Sequence, residues 1–178
     1  MESRRQFVKK MTGLTTGLML PWGATMCSMP GASDKFGELL PLRKLGNTGE
    51  RITMLGVGGF HVGWTTEKDA QEVIETAIES GIRFFDTAHN YGQGTSEERY
   101  GKYLIPNYRD HIFLMTKTQA KNYDDILKEF ELSLERMKTG SVDLLQIHSF
   151  RTPEDVDERM DNGVLDAMLE IKESGRAR

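Results

Sequence analysis

The chain has 178 residues, enough for one ordinary domain, with 38% hydrophobic and 28% charged residues and 18 glycines against 5 prolines. That balance excludes fibrous, disordered and multi-spanning chains. A single cysteine excludes a disulfide framework, and a net charge of -4 gives no reason to expect a nucleic-acid partner.

The charge is uneven: the first 30 residues carry net +3 and the remainder -7. Ser3-Arg4-Arg5-Gln6-Phe7-Val8-Lys9 places paired arginines ahead of an uncharged, moderately apolar run over 11–20. This resembles a twin-arginine export signal. Residues 1–32 are therefore expected to be a signal segment read by the twin-arginine export machinery. The protein would be exported, periplasmic or membrane-associated through an uncleaved signal. Cys27 reads as a small hydrophobic thiol rather than a lipidation site.

Residues 33–41 read as a linker. Leu42-Arg43-Lys44-Leu45 and Arg51-Ile52-Thr53-Met54 flank an Asn/Gly turn and predict a hairpin. Residues 55–60 predict a strand entering a glycine-rich loop. There Gly58 allows either close backbone approach to a ligand or ordinary strand crowding. Thr66 with Asp69 caps a helix whose apolar stripe is Ala70, Val73, Ile74, Ala77 and Ile78. Residues 82–85 form the next strand, ending at Asp86. Thr95 paired with Glu98 caps a short helix that Pro106 ends. A strand over 111–116 ends at Lys117, a helix follows over 123–138, and a strand over 142–147 ends at His148. Polar residues 154–163 precede a last helix lined by Leu165, Met168 and Leu169.

Near-continuous apolar strands alternating with helices predict a parallel α/β fold. Periodicity alone leaves a closed barrel and a doubly wound sheet both open. In either, ligands bind beyond the carboxyl ends of the strands. Asp86, Lys117 and His148 occupy successive strand ends at equal spacings of 31 residues, and Tyr91 lies in the loop after Asp86. Phenols are weak acids, and an adjacent ammonium stabilises the ionised form. Tyr91 would supply a proton, Lys117 the ammonium and Asp86 its anchor, with His148 orienting a carbonyl. Each also has a plain structural reading as a loop cap, a loop aromatic, a snorkelling lysine or a core histidine.

Asp86-Thr87-Ala88-His89-Asn90-Tyr91-Gly92, continued by Gly94 to Glu97, resembles the signature segment of the aldo-keto reductases. Leu45-Gly46-Asn47-Thr48-Gly49 and the stretch from Leu132 to His148 are similar to further family motifs. The resemblance spans residues 42–178 and implies the N-terminal half of a TIM (β/α)8 barrel with an N-terminal β-hairpin. It implies reduction of a small carbonyl substrate with hydride from the reduced form of NADP, or alternatively NAD, without a metal. Tyr91 matches the proton donor, Lys117 and Asp86 its tuning pair, and His148 the substrate-orienting residue. Asp86, Gly58 and Ser149 are the expected cofactor contacts. Residues 154–165 resemble a branch of exported, iron–sulfur-associated reductases, although Cys27 alone cannot hold a cluster.

The 137 residues from Leu42 are about half of a typical barrel. Two further readings therefore stand beside the enzyme: a truncated inactive fragment, or a noncatalytic half-barrel module that self-associates through exposed edges.

Overall fold

The computed structural model of the chain describes residues 31–178. Strand β1 (Ser33–Asp34) pairs antiparallel with β2 (Gly37–Glu38), so the stretch read as a linker carries structure of its own. Asp34 fixes it in place. Its carboxylate accepts from Arg83 Nε at 2.7 Å and from Nη2 at 2.9 Å. The buried Arg83 also donates Nη1 to the carbonyls of Ile78 and Ile82.

The Arg83 hydrogen bond is the main cause that lowers the Asp34 pKa from 3.8 to about 2. A carboxylate depressed in the folded state stabilises the fold above its unfolded pKa and loses that contribution as pH falls. An acid titration followed by circular dichroism should therefore show a loss of stability between about pH 3.8 and 2 that is absent from Asp34→Asn.

The expected second hairpin forms from β3 (Leu42–Lys44) and β4 (Arg51–Thr53), with Arg43 opposite Ile52. Thr48 Oγ1 donates to Leu45 O at 2.6 Å, closing the turn between them.

Four strands then form one parallel sheet in the order β5 (Gly56–Gly58), β6 (Phe84–Asp86), β7 (Phe113–Thr118) and β8 (Leu144–Ile147). This spatial order follows the chain without reversal. A doubly wound sheet reverses direction at a switch point, so the sheet is a sector of a (β/α)8 barrel. The α-helices are α1 (Gly59–Trp64), α2 (Glu67–Glu79), α3 (Thr95–Arg99), α4 (Ile105–Tyr108), α5 (Tyr123–Met137), α6 (Pro153–Asp161) and α7 (Val164–Glu173), with a π-helical segment at Tyr100–Leu104 and 3-10 turns at Tyr91–Gly94 and Arg109–His111.

Phe85, Leu114 and Leu145 join Ile74 and Ile78 of α2, Phe130 and Leu134 of α5, and Ile171 of α7 in the hydrophobic core. Their strand neighbours point the other way. Register pairs Phe84 with Phe113, Asp86 with Met115, Met115 with Leu144 and Lys117 with Gln146, so these residues share the opposite face. That face corresponds to the barrel interior.

Local chemistry explains where the elements depart from expectation. The glycine-rich stretch opens directly into α1 instead of a loop. A side chain on Gly59 would lie 2.9 Å from Ser96 Oγ, and one on Gly63 would lie 2.9 Å from Tyr91 O. Glycine lets α1 approach the loop after β6.

Thr95 makes no capping bond, and α3 starts behind Gly94 in a left-handed conformation at φ +99°. Pro106 does not end the helix: it stands at the start of α4, directly behind a π-helical segment over Tyr100–Leu104, so the helical run continues to Tyr108. Residues 154–163 contain α6, capped by Thr152 Oγ1 accepting from Asp155 N at 3.2 Å. Only Arg159 is buried along α6, so no apolar stripe announced it. His111 lies in a 3-10 turn before β7, and Lys117 lies inside that strand rather than after it.

The expected localisation, exported, periplasmic or membrane-associated through an uncleaved signal, is corrected where it places the protein at a membrane. Among the described residues no helix is long and apolar enough to cross a membrane. A span needs about 20 apolar residues, whereas α5, with 15 residues, is amphipathic. Residues 1–30, with the twin-arginine-like pattern and Cys27, lie outside the described residues.

Candidate active site

Parallel pairing carries the strand-end residues to one rim. β6 lies beside β7, and β7 beside β8, so the chain delivers Asp86, Lys117 and His148 from neighbouring strands. The backbone extends this alignment past the strand ends. His89 N donates to Lys117 O at 2.9 Å, and His148 N donates to Thr118 O at 2.8 Å.

Lys117 is the centre of the cluster. It is buried, and its ammonium forms an ion pair with Asp86 Oδ1. The same Nζ donates to Thr87 O at 2.9 Å and to the Tyr91 hydroxyl at 3.3 Å. A buried ammonium needs such partners, because desolvation without them is prohibitive. It also stands 4.8 Å from the centroid of the Tyr91 ring.

Tyr91 reaches this position through an abrupt turn. Gly92 and Gln93 adopt left-handed conformations at φ +59° and +58°. A side chain on Gly92 would collide with the backbone of Gly63 in α1. The Tyr91 ring is wedged edge-to-face between Phe60, at 5.4 Å, and His148, at 5.5 Å.

His148 is half-buried, and its Nδ1 is buried without a hydrogen-bond partner among the described residues. Burial is the first cause that lowers its pKa below 6.5, the Lys117 charge adds to it, and Asp86 opposes it. The imidazole is therefore neutral at neutral pH. A proton NMR titration of His148 should place its midpoint below 6.5, and Lys117→Met should move it upward.

The remaining expected contacts are less tightly joined. Gly58 stands opposite Asp86 in register. Ser149 is exposed and takes a left-handed φ of +62°. It borders, with His148, Gln119 and Arg151, a cleft of about 530 Å³ running toward α6. Charges in this cleft answer one another: Lys121 Nζ lies 3.1 Å from Asp155 and 3.4 Å from Glu158, while Arg159 Nε donates to Asp155 at 3.2 Å.

Three supporting groups have no individual signal in the sequence. Thr87 contributes a carbonyl, while the hydroxyls of Thr87 and Ser96 meet at 2.8 Å and Ser96 donates onward to Gly59 O at 2.8 Å. Tyr100, wholly buried, donates to Asp86 O at 3.2 Å. Its phenol is pushed upward by burial, with the Asp86 charge adding to the effect, so it stays protonated.

A lysine shared by a carboxylate and a phenol at the strand-end rim of a barrel sector invites comparison with known proteins. Residues 54–178 match the pattern of the Aldo/keto reductase family. The chain belongs to this family.

It is 37% identical over 121 residues to aldo-keto reductase YhdN of Bacillus subtilis, covering 58% of this chain and 36% of that protein. It is 33% identical over 146 residues to the oxidoreductase YqkF of the same organism, covering 75% of this chain and 45% of the relative. Among solved structures, aldo-keto reductase AKR11C1 from Bacillus halodurans, in its holo form, superposes with a TM-score of 0.70. It is 29% identical, over 78% of this chain and 48% of that one. An aldo/keto reductase from Brucella melitensis gives 0.61 at 32% identity, over 78% and 51%. The chain thus spans about half the length, or less, of these relatives. Membership supports an oxidoreductase role at the level of the family, with NAD(P)H and a small carbonyl substrate as the general expectation.

Proposed function

We propose that Asp86, Tyr91, Lys117 and His148 are the proton-donating half of a carbonyl reductase active site. In this reading the 178 residues alone do not turn over. The observation that supports the site is the Lys117 ammonium, tied to Asp86 while lying 3.3 Å from the Tyr91 hydroxyl. Reducing a carbonyl places negative charge on its oxygen, and a positioned acid must supply a proton there. Tyr91 donates that proton, and the Lys117 charge stabilises the phenolate left behind. Asp86 keeps the ammonium on the rim. Neutral His148 offers a ring N–H to the same oxygen and aligns it with Tyr91.

The site also has to admit a cofactor. A side chain added to Gly58 would meet nothing within 4 Å, so open space adjoins Asp86 where a planar ring can lie against the backbone. The residues present fit the reactive end of a nicotinamide there, with Asp86, Gly58 and Ser149 as its contacts. When bound, that ring supplies hydride to the carbonyl carbon. NADPH is the proposed donor and NADH the alternative.

The second reading, a noncatalytic fragment, is supported by coverage of only 36% and 45% of the two curated relatives. The two readings meet in one experiment. NADPH oxidation is followed with a panel of small aldehydes, using the 178-residue chain and a form extended to the relatives' length. Turnover is expected only in the extended form. Turnover by the chain alone overturns the fragment reading, and its absence from both overturns the reductase reading.

A further inference from the structure

The ion pair of buried Glu97 with half-buried Arg136 stands apart from the four residues already assigned, yet it touches the elements that carry two of them. Glu97 is wholly buried. One of its oxygens accepts from Thr116 Oγ1 at 2.7 Å, and the other accepts from Arg136 Nη1 at 3.3 Å. Thr116 immediately precedes Lys117 in β7, while Glu97 belongs to α3, which follows the Tyr91 turn. One carboxylate therefore ties the segment of Tyr91 to the strand of Lys117.

Arg136 closes the turn from the other side. Its Nη1 donates to His89 O at 3.0 Å, upstream of Tyr91. Its guanidinium packs on Gly94, downstream of Tyr91, where a side chain would overlap it. His89 is held further by its Nδ1, which lies 3.3 Å from Ser133 Oγ of α5. A buried ion pair is a poor device for stability alone, since apolar residues of equal volume do as well. This pair, in contrast, spans both ends of the turn and the neighbouring strand, a geometry suited to fixing a distance.

We infer that Glu97 and Arg136 are positioning residues that set the separation between the Tyr91 hydroxyl and the Lys117 ammonium. The inference rests on the reading of Tyr91 and Lys117 as the proton-donating pair. Neither residue touches the substrate.

The test uses the 178-residue chain with an isotope label at tyrosine Cζ, the Tyr91 resonance being assigned through Tyr91→Phe. At one fixed pH, Lys117→Met should change the Tyr91 shift in the native chain. In an Arg136→Met background the same substitution should produce at most half that change, and Arg136→Lys should restore part of it. An undiminished Lys117 effect in the Arg136→Met background overturns the inference. If Arg136→Met loses its native spectrum, Glu97→Gln, which keeps the volume, takes its place: a Lys117 effect cut by half or more supports the inference, and an undiminished one overturns it. A native chain in which Lys117→Met leaves the Tyr91 shift unmoved instead overturns the proton-donor reading itself, so the two failures are distinct.

Discussion

Tyr91→Phe is expected to lower kcat/KM for carbonyl reduction by about 10²–10⁴-fold, the usual contribution of a positioned general acid. The measurement belongs in the form extended to the length of the relatives, with NADPH oxidation as the readout. The substitution removes one hydroxyl and leaves the ring. That ring sits edge-to-face against Phe60 and His148, at 5.4 and 5.5 Å, and a phenylalanine makes the same contacts. Lys117 keeps Asp86 and Thr87 O as partners. Fold and cofactor affinity should therefore be unchanged, and the loss should fall on kcat rather than KM. A variant reducing aldehydes at the native rate would remove Tyr91 from the mechanism.

The largest effect on stability is expected far from that site. Arg83→Met should destabilise residues 31–178 by about 3 kcal/mol, the lower end of the cost of breaking a buried ion pair from one side. Arg83 is 5% exposed and donates to Asp34 and to the carbonyls of Ile78 and Ile82. Methionine fills much of the volume but removes a donor from the carbonyls of Ile78 and Ile82 and two from the Asp34 carboxylate. Ile78 O keeps Gly81 N, and Asp34 keeps Phe36 N. The Asp34 side chain retains 15% exposure and recovers some hydration, which keeps the cost from rising further. Urea unfolding followed by circular dichroism gives the value. A change within about 0.5 kcal/mol, typical of surface substitutions, would show that the clamp on β1 contributes nothing to the fold.

Much of the architecture was legible because local patterns carried it. The Ala70–Ile78 stripe and the Thr66 cap predicted α2, and the cap forms with Asp69 N donating to Thr66 Oγ1 at 3.1 Å. The Asn/Gly turn predicted the β3–β4 hairpin. Where patterns were silent or shared, the reading strayed. Helix α6 is polar around most of its circumference, so periodicity had nothing to detect. The pair β1–β2 is two residues per strand and rests on Asp34, whose partner lies 49 positions away. Pro106 reads locally as a helix end, yet the run passes through a π-helical segment at Tyr100–Leu104 and continues beyond it.

The site divides in the same way. Strand periodicity placed Asp86, Lys117 and His148 at one rim, because neighbouring parallel strands all send their carboxyl ends to the same edge of the sheet. Glu97 and Arg136 stayed hidden for the opposite reason. Glu97 reads as part of a helix start and Arg136 as the polar face of α5, and each is informative only once 39 residues of chain bring them together.

Composition by itself had already excluded a disulfide framework and gave no reason to expect a nucleic-acid partner, and the equal spacing of strand-end residues pointed to a single rim. The signature segment from Asp86 to Gly92 gave the family, which the match over residues 54–178 shows. Periodicity left a barrel and a doubly wound sheet both open, since it records which residues are apolar but not which strands are neighbours. The resemblance implied the barrel, and the strand order decided it. Tertiary structure alone decided that Lys117 is shared by Asp86, Thr87 and Tyr91. Sequence distance cannot show such sharing, because a buried charge selects its partners by desolvation and geometry after the chain has folded.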